Sequence, residues 1–106
     1  MTCPIEVTVN LIGDKWKVLI MRNLLLLGTQ RFGELHKEIN GISQKVLTNQ
    51  LREMEGDGLI TRVVYPEVPP RVEYSVTELG ESLRPIFDVI HTWGTNYIDI
   101  NPDKFV

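Results

Sequence analysis

Apolar residues recur with a helical period over both ends of this chain and switch to strict alternation in one short stretch past its middle. Pro4 suits the first position of a helix, and Ile5, Val9 and Ile12 then form a stripe that Gly13 ends. Asp14 is placed to cap a second helix, in which Trp16, Leu19, Ile20, Leu24 and Leu27 share the spacing of one face. Val18, Met21, Leu25 and Leu26 make that helix apolar nearly all round, as expected of an element at the centre of a core. From Arg31 the pattern predicts two shorter amphipathic helices with a tight Asn40-Gly41-Ile42 turn between them. Gly56-Asp57-Gly58 then stops the second of these, its two glycines being candidates for a left-handed conformation. Leu59 to Tyr65 is β-branched and aromatic and reads as a strand. Pro66-Glu67-Val68-Pro69-Pro70 cannot lie inside a sheet, because proline lacks the ladder donor. Arg71 to Val76 returns as a second strand, with Val72, Tyr74 and Val76 on one face and Arg71, Glu73 and Ser75 on the other. From Thr77, an N-cap, one long helix is expected, carrying Leu79, Leu83, Ile86, Phe87, Ile90, Trp93 and Tyr97 in a broad stripe. Pro85 should kink it.

The order of these elements predicts a mainly α chain with a small β-hairpin (α+β), a winged helix-turn-helix with additional N- and C-terminal helices. One domain over residues 1–106 is expected. The second motif helix carries the most information. Ser43 occupies its N-cap, and Ile42, Val46, Leu47, Leu51 and Met54 fall on one face. Gln44, Lys45, Thr48, Asn49 and Arg52 share the opposite arc, roughly 140° wide when residues advance by about 100° each. No acid occurs between Glu38 and Glu53, so this arc holds only donors, amides and hydroxyls. Such side chains read base edges or hold phosphates. A solvated surface helix would show the same amphipathic pattern, and the wing that follows is what favours DNA. A Pro-rich hairpin tip beside Arg71 suits contact with a DNA backbone or minor groove, although an ordinary hairpin also uses proline to discourage edge pairing. Arg31 and Arg71 are the candidate phosphate contacts.

Several blocks in order resemble the HxlR-type family of winged helix-turn-helix transcriptional regulators, relatives of the MarR class. They are Cys3-Pro4-Ile5-Glu6, Ile12-Gly13-Asp14-Lys15-Trp16, Arg31-Phe32-Gly33-Glu34-Leu35 and Gly41-Ile42-Ser43-Gln44-Lys45. Asp57-Gly58-Leu59-Ile60-Thr61-Arg62, Tyr65-Pro66 with Pro69-Pro70-Arg71-Val72-Glu73-Tyr74, Thr77-Glu78-Leu79-Gly80 and Trp93-Gly94 complete the set. The resemblance covers the chain from Cys3 to about Tyr97. It implies regulation of transcription by a homodimer bound to double-stranded DNA. It also implies, from some members, thiol-stress sensing through a cysteine at the place of Cys3.

Charge refines this reading. The net charge of −3 argues against a generic nucleic-acid coater. Through residue 65 there are eight Lys/Arg against seven Asp/Glu, and beyond it three against seven, so acid gathers away from the reading helix. The single Cys and two His form no CxxC, HxxxH or paired-carboxylate arrangement, so no metal, cofactor or enzymatic site is expected. Val18 to Leu27 is too short to span a bilayer and includes Arg22 and Asn23, so no membrane association and a cytoplasmic location are expected.

The terminal helices carry more apolar surface than a small winged domain can cover. A homodimer is therefore expected through Ile5, Val9, Phe87, Ile90, Trp93 and Tyr97, presenting two reading helices to an inverted-repeat operator. A helix folded back over its own domain is the alternative. Cys3 falls at the N-cap of the first helix, where the helix dipole favours a thiolate, and is a candidate redox or electrophile sensor. A passive thiol at a fraying terminus remains open beside it. Two rival functions also stay open, a winged helix used as a protein-interaction module and a regulator that senses a small-molecule effector without a redox role.

Overall fold

In a computed structural model that describes residues 2–106, six α-helices surround a small antiparallel sheet. The helices are α1 (Pro4–Ile12), α2 (Lys15–Leu27), α3 (Phe32–Glu38), α4 (Gln44–Gly56), α5 (Glu78–Glu81) and α6 (Arg84–Ile100). The strands are β1 (Gln30–Arg31), β2 (Ile60–Tyr65) and β3 (Arg71–Val76), in the spatial order β1-β3-β2, and a 3₁₀ turn (Pro102–Phe105) follows α6. A mainly helical chain with a small β wing is what the periodicity predicts.

The apolar α2 lies at the centre. Ile20, Met21 and Leu24 are essentially fully buried in one cluster with Leu35 of the first motif helix, Ile39 just past its end, and Leu47, Leu51 and Met54 of the second. Ile60 and Tyr74 close the core from the sheet, and Trp16 packs at its margin. Helix starts follow the residues that satisfy free backbone N–H groups. Asp14 accepts from the N–H groups of Trp16 and Lys17, Ser43 from Val46, and Thr77 from Gly80. Between α3 and α4, Gly41 takes φ 87°, a left-handed conformation that side chains disfavour and the tight turn requires.

Four features depart from the periodic reading. The two-residue strand β1 pairs Gln30 with Tyr74 and Arg31 with Glu73, adding a third strand to the expected hairpin. Gly56 stays inside α4, and only Gly58, at φ 80°, is left-handed at its end. Strand β2 begins at Ile60, with Leu59 ahead of it. The expected long helix from Thr77 is two helices. Pro85 lies in the first turn of α6 and does not kink a continuous helix; in a first turn its missing N–H costs no helical hydrogen bond. The Ser82 hydroxyl donates to the Leu79 carbonyl where α5 ends. Arg84 then fastens the start of α6, donating from Nη2 to the Leu25 carbonyl at 2.9 Å and pairing with Glu81. That pairing holds the Glu81 carboxyl below the ordinary carboxylate range.

Thr77 locks α5 onto the end of the motif: its N–H donates to the Leu59 carbonyl and its hydroxyl to the Gly58 carbonyl at 2.6 Å. Gly80 is buried there, and a Cβ on it would run into the Leu59 carbonyl oxygen. Gly80→Ala should therefore displace α5 and cost about 1–3 kcal/mol or more by overpacking. Urea denaturation would measure this, and parent-like stability would contradict the close approach.

Candidate nucleic-acid interface

Helix α4 is presented by its buried side. With Leu47, Leu51 and Met54 sealed in the core, Gln44, Lys45, Asn49 and Arg52 are left exposed on the opposite arc. Among the described residues, these four side chains make no hydrogen bond or ion pair within the chain. Thr48 lies between them, half-buried, with its hydroxyl donated to the Gln44 carbonyl at 2.8 Å. That bond uses the hydroxyl proton, so Thr48 offers the outside only a methyl group and an oxygen lone pair. Ser43 Oγ accepts from the Val46 N–H at 3.1 Å and caps the helix beside the same surface.

The flank of α4 that adjoins α2 is braced by two polar contacts. Lys17 Nζ lies 2.7 Å from Glu53 Oε2, and Gln50 Nε2 donates to Asp14 Oδ2 at 3.2 Å. Asp14 uses its other oxygen to cap α2, so one carboxylate fixes the start of one helix to the side of the other. Lys17 is an unusual member of this pair, buried along its length with 11% of its side chain exposed, while Glu53 is 61% exposed.

In the wing, Arg71 is paired within the hairpin. Its guanidinium stands 4.1 Å above the Tyr65 ring, with Glu73 at 3.4 Å and Glu67 at 3.7 Å. Two carboxylates and an aromatic face hold it across the base of the hairpin, which makes it a brace of the wing. Arg31 is exposed, and its backbone N–H donates to Glu34 Oε1 at 2.9 Å at the start of α3. It borders a cleft of about 490 Å³ between that helix and the wing segment 67–72.

A residue not singled out from the sequence is Arg62. It pairs in register with Tyr74, on the strand face that also carries the buried Ile60. Its side chain is exposed and shares a cleft of about 240 Å³ with Phe32, Thr48, Arg52, Glu55 and Tyr74. In the sequence it shows only as a basic residue two positions after Ile60, on the same strand face.

The remaining candidates lie elsewhere. Cys3 is exposed at the N-cap of α1 and makes no capping hydrogen bond with its side chain. Ile5 is 74% and Val9 55% exposed on α1, and Ile90, Trp93 and Tyr97 are exposed on α6. Phe87 differs from them, being half-buried against its own core. His36 stacks on Phe32 and His91 is exposed on α6. Among the described residues no cluster of His, Cys, Asp and Glu could hold a metal ion, and no helix is long and apolar enough to cross a membrane.

A family model described as HxlR-like helix-turn-helix matches residues 11–102. An uncharacterized HTH-type transcriptional regulator of Methanothermobacter thermautotrophicus is 53% identical over 95 residues, which make up 90% of this chain and 72% of that relative. The structure of the redox regulator HypR in its reduced form superposes with a TM-score of 0.88 at 42% identity, covering 95% of this chain and 99% of that one. The crystal structure of diamide-treated YodB from Bacillus subtilis gives 0.73 at 37% identity, covering 92% of this chain and 96% of that one.

The unequal burial of Lys17 and Glu53 makes a lopsided pair of outcomes. Glu53→Gln leaves a largely buried ammonium without its carboxylate and should cost about 1–2 kcal/mol after allowance for screening at the exposed partner. Lys17→Met leaves only a solvated carboxylate and should cost under about 1 kcal/mol. Equal losses in denaturant titrations would show that burial does not set the energy of this pair.

Proposed function

The chain belongs to the HxlR-like helix-turn-helix family, and from that footing we propose that it acts as a homodimer on an inverted-repeat operator, with Cys3 tuning its occupancy. The observation that carries the DNA-reading part is the uncommitted arc of α4. Gln44, Lys45 and Asn49 are exposed and, among the described residues, unpaired, while the opposite side of the same helix is sealed in the core. Lys suits guanine, Asn and Gln suit adenine, and the Thr48 methyl suits the thymine methyl group. Ser43 and Arg31 lie where phosphates flank the motif, and Arg71 stiffens the wing.

Dimerisation rests on α6. None of its 17 residues is buried, yet Ile90 is 50% and Trp93 67% exposed. Trp93 stacks on Tyr97 at 5.4 Å between ring centroids, forming a rigid aromatic patch. Ile5 and Val9 add a second exposed apolar strip on α1. Packing these strips on their two-fold copies removes apolar area from water, with Trp93 and Tyr97 as anchors and Phe87 supporting them from below. The two reading helices then face successive major-groove segments.

Cys3 is the only thiol and is solvent-exposed. Oxidation by a diazene reagent such as diamide joins two thiols, and the two hydrogens they give up reduce the reagent. With one cysteine per chain, a disulfide forms only across the dimer or with a small thiol, and an electrophile gives an adduct. HypR is described as a redox regulator and YodB was solved after diamide treatment, which supports choosing this chemistry.

Three measurements test the reading. Lys45→Ala and Asn49→Ala should each cost about 1–3 kcal/mol on a duplex selected by the protein from a random pool, and relax preference at one base pair. Parent-like binding by every α4 variant would refute the reading helix. Sedimentation should give a dimer at micromolar concentration and a largely monomeric Trp93→Asp variant; a monomeric parent removes the dimer. Diamide should change operator affinity of the parent and leave Cys3→Ser unchanged, and identical responses would make Cys3 a bystander.

A further inference from the structure

The backbone strand that separates a major groove from the neighbouring minor groove must cross the notch between a reading helix and its wing, if both touch DNA. In this protein that notch is the cleft lined by Phe32, Thr48, Arg52, Glu55, Arg62 and Tyr74, with a volume of about 240 Å³. Helix α3 supplies Phe32, α4 supplies Thr48, Arg52 and Glu55, and the two wing strands supply Arg62 and Tyr74. Tyr74 is buried, so the back of the cleft is fixed by the core.

Two guanidiniums open into this space from different elements, and among the described residues neither is paired with a carboxylate. Lys17, Arg71 and Arg84 are instead committed to carboxylates within the chain. Glu55 is the one acid at the cleft, so its lining has an excess of one positive charge. Planar guanidinium forks match phosphate oxygens, and two of them on separate elements can grip one phosphate from both sides.

We infer that Arg52 and Arg62 form a clamp for a DNA backbone phosphate in the cleft between the reading helix and the wing. The inference rests on the DNA-binding reading and deepens it in two ways. It moves Arg52 from the base-reading set to a positioning role, and it adds Arg62, which lies outside the helix-turn-helix. A phosphate held there fixes how deeply α4 enters the groove, because the clamp spans the helix and the sheet on which that helix rests. Glu55 sets a limit on the grip and keeps affinity for arbitrary DNA down.

Binding is compared on the selected duplex and on a scrambled duplex of equal length, over a range of chloride concentrations. Arg62→Ala and Arg52→Ala should each make the plot of log affinity against log salt shallower by about one unit. Between about 50 and 200 mM salt each variant should then lose roughly threefold less affinity than the parent does. The factor lost at low salt should be the same on both duplexes, Arg62→Lys should keep the parent's slope, and Glu55→Gln should tighten binding to both. An unchanged slope in Arg62→Ala overturns the clamp, and a loss confined to the selected duplex makes Arg62 a base reader instead. Inorganic phosphate that displaces DNA more strongly than chloride at equal ionic strength would assign the cleft to a free anion, also against the proposal. A parent that binds both duplexes equally would remove sequence-specific reading, while the scrambled duplex alone still decides the clamp. A parent that binds neither would remove both.

Discussion

The rotation of one helix about its own axis governs the rest of the molecule. Leu47, Leu51 and Met54 are buried to about 1% exposure or less, so α4 has a single orientation in which its apolar stripe is satisfied. Turning the helix by one residue, roughly 100°, would expose that stripe and bring Arg52 and Glu55, or Gln50 and Glu53, toward Ile20 and Leu35. The core therefore chooses which side chains face outward. The Lys17–Glu53 and Asp14–Gln50 contacts add a brace on the flank of the same helix. A surface held in its binding orientation before DNA arrives has less conformational freedom left to lose on association.

Charge and apolar surface are divided along the chain in a way that suits two separate tasks. The segment through β2 carries the exposed cations of α4 and Arg62, while acids outnumber bases beyond it. In the wing, Glu67 and Glu73 pair with Arg71, which leaves Arg62 as the hairpin's cation facing the cleft beside α4. Helix α6 then pairs an acidic, weakly cationic stretch with a broad exposed apolar stripe, poor for phosphates and suited to another apolar surface. The two tasks meet at α2, which packs against α4 and receives the Arg84 hydrogen bond on its Leu25 carbonyl.

Much of this was legible in the sequence where a local chemical rule decides the outcome. Asp14, Ser43 and Thr77 announce helix starts because each oxygen has a backbone donor within one turn. Pro66, Pro69 and Pro70 announce the hairpin tip because they cannot donate to a ladder. What escaped depends on partners distant in sequence. Strand β1 has two residues, too few for any period, and exists because β3 offers it an edge. The break near Ser82 is hidden because Leu79, Leu83 and Ile86 keep helical spacing across it, so Pro85 reads as a kink when it is in fact a start. The capture of Arg71 depends on cross-hairpin geometry that brings Glu67, Glu73 and Tyr65 around it. The site of Arg62 needs the pairing register with Tyr74 and the placement of α4 against the sheet.

The same geometry bears on how an event at the N-terminus could reach the reading helix. Cys3 is the N-cap of α1, and α1 ends at Ile12 with only Gly13 before Asp14 caps α2. The corner is tight: the Gly13 N–H donates to the Val9 carbonyl at 2.6 Å, and a Cβ on Gly13 would collide with that oxygen. Little slack is available there to absorb a rotation of α1. Asp14 sits on the far side of the corner and grips both the first turn of α2 and Gln50 of α4. The same carboxylate stands three residues in sequence from the Lys17 that pairs with Glu53. From Cys3 to the reading helix the path is thus short in contacts: one helix, one tight corner, and one side chain that serves two helices at once.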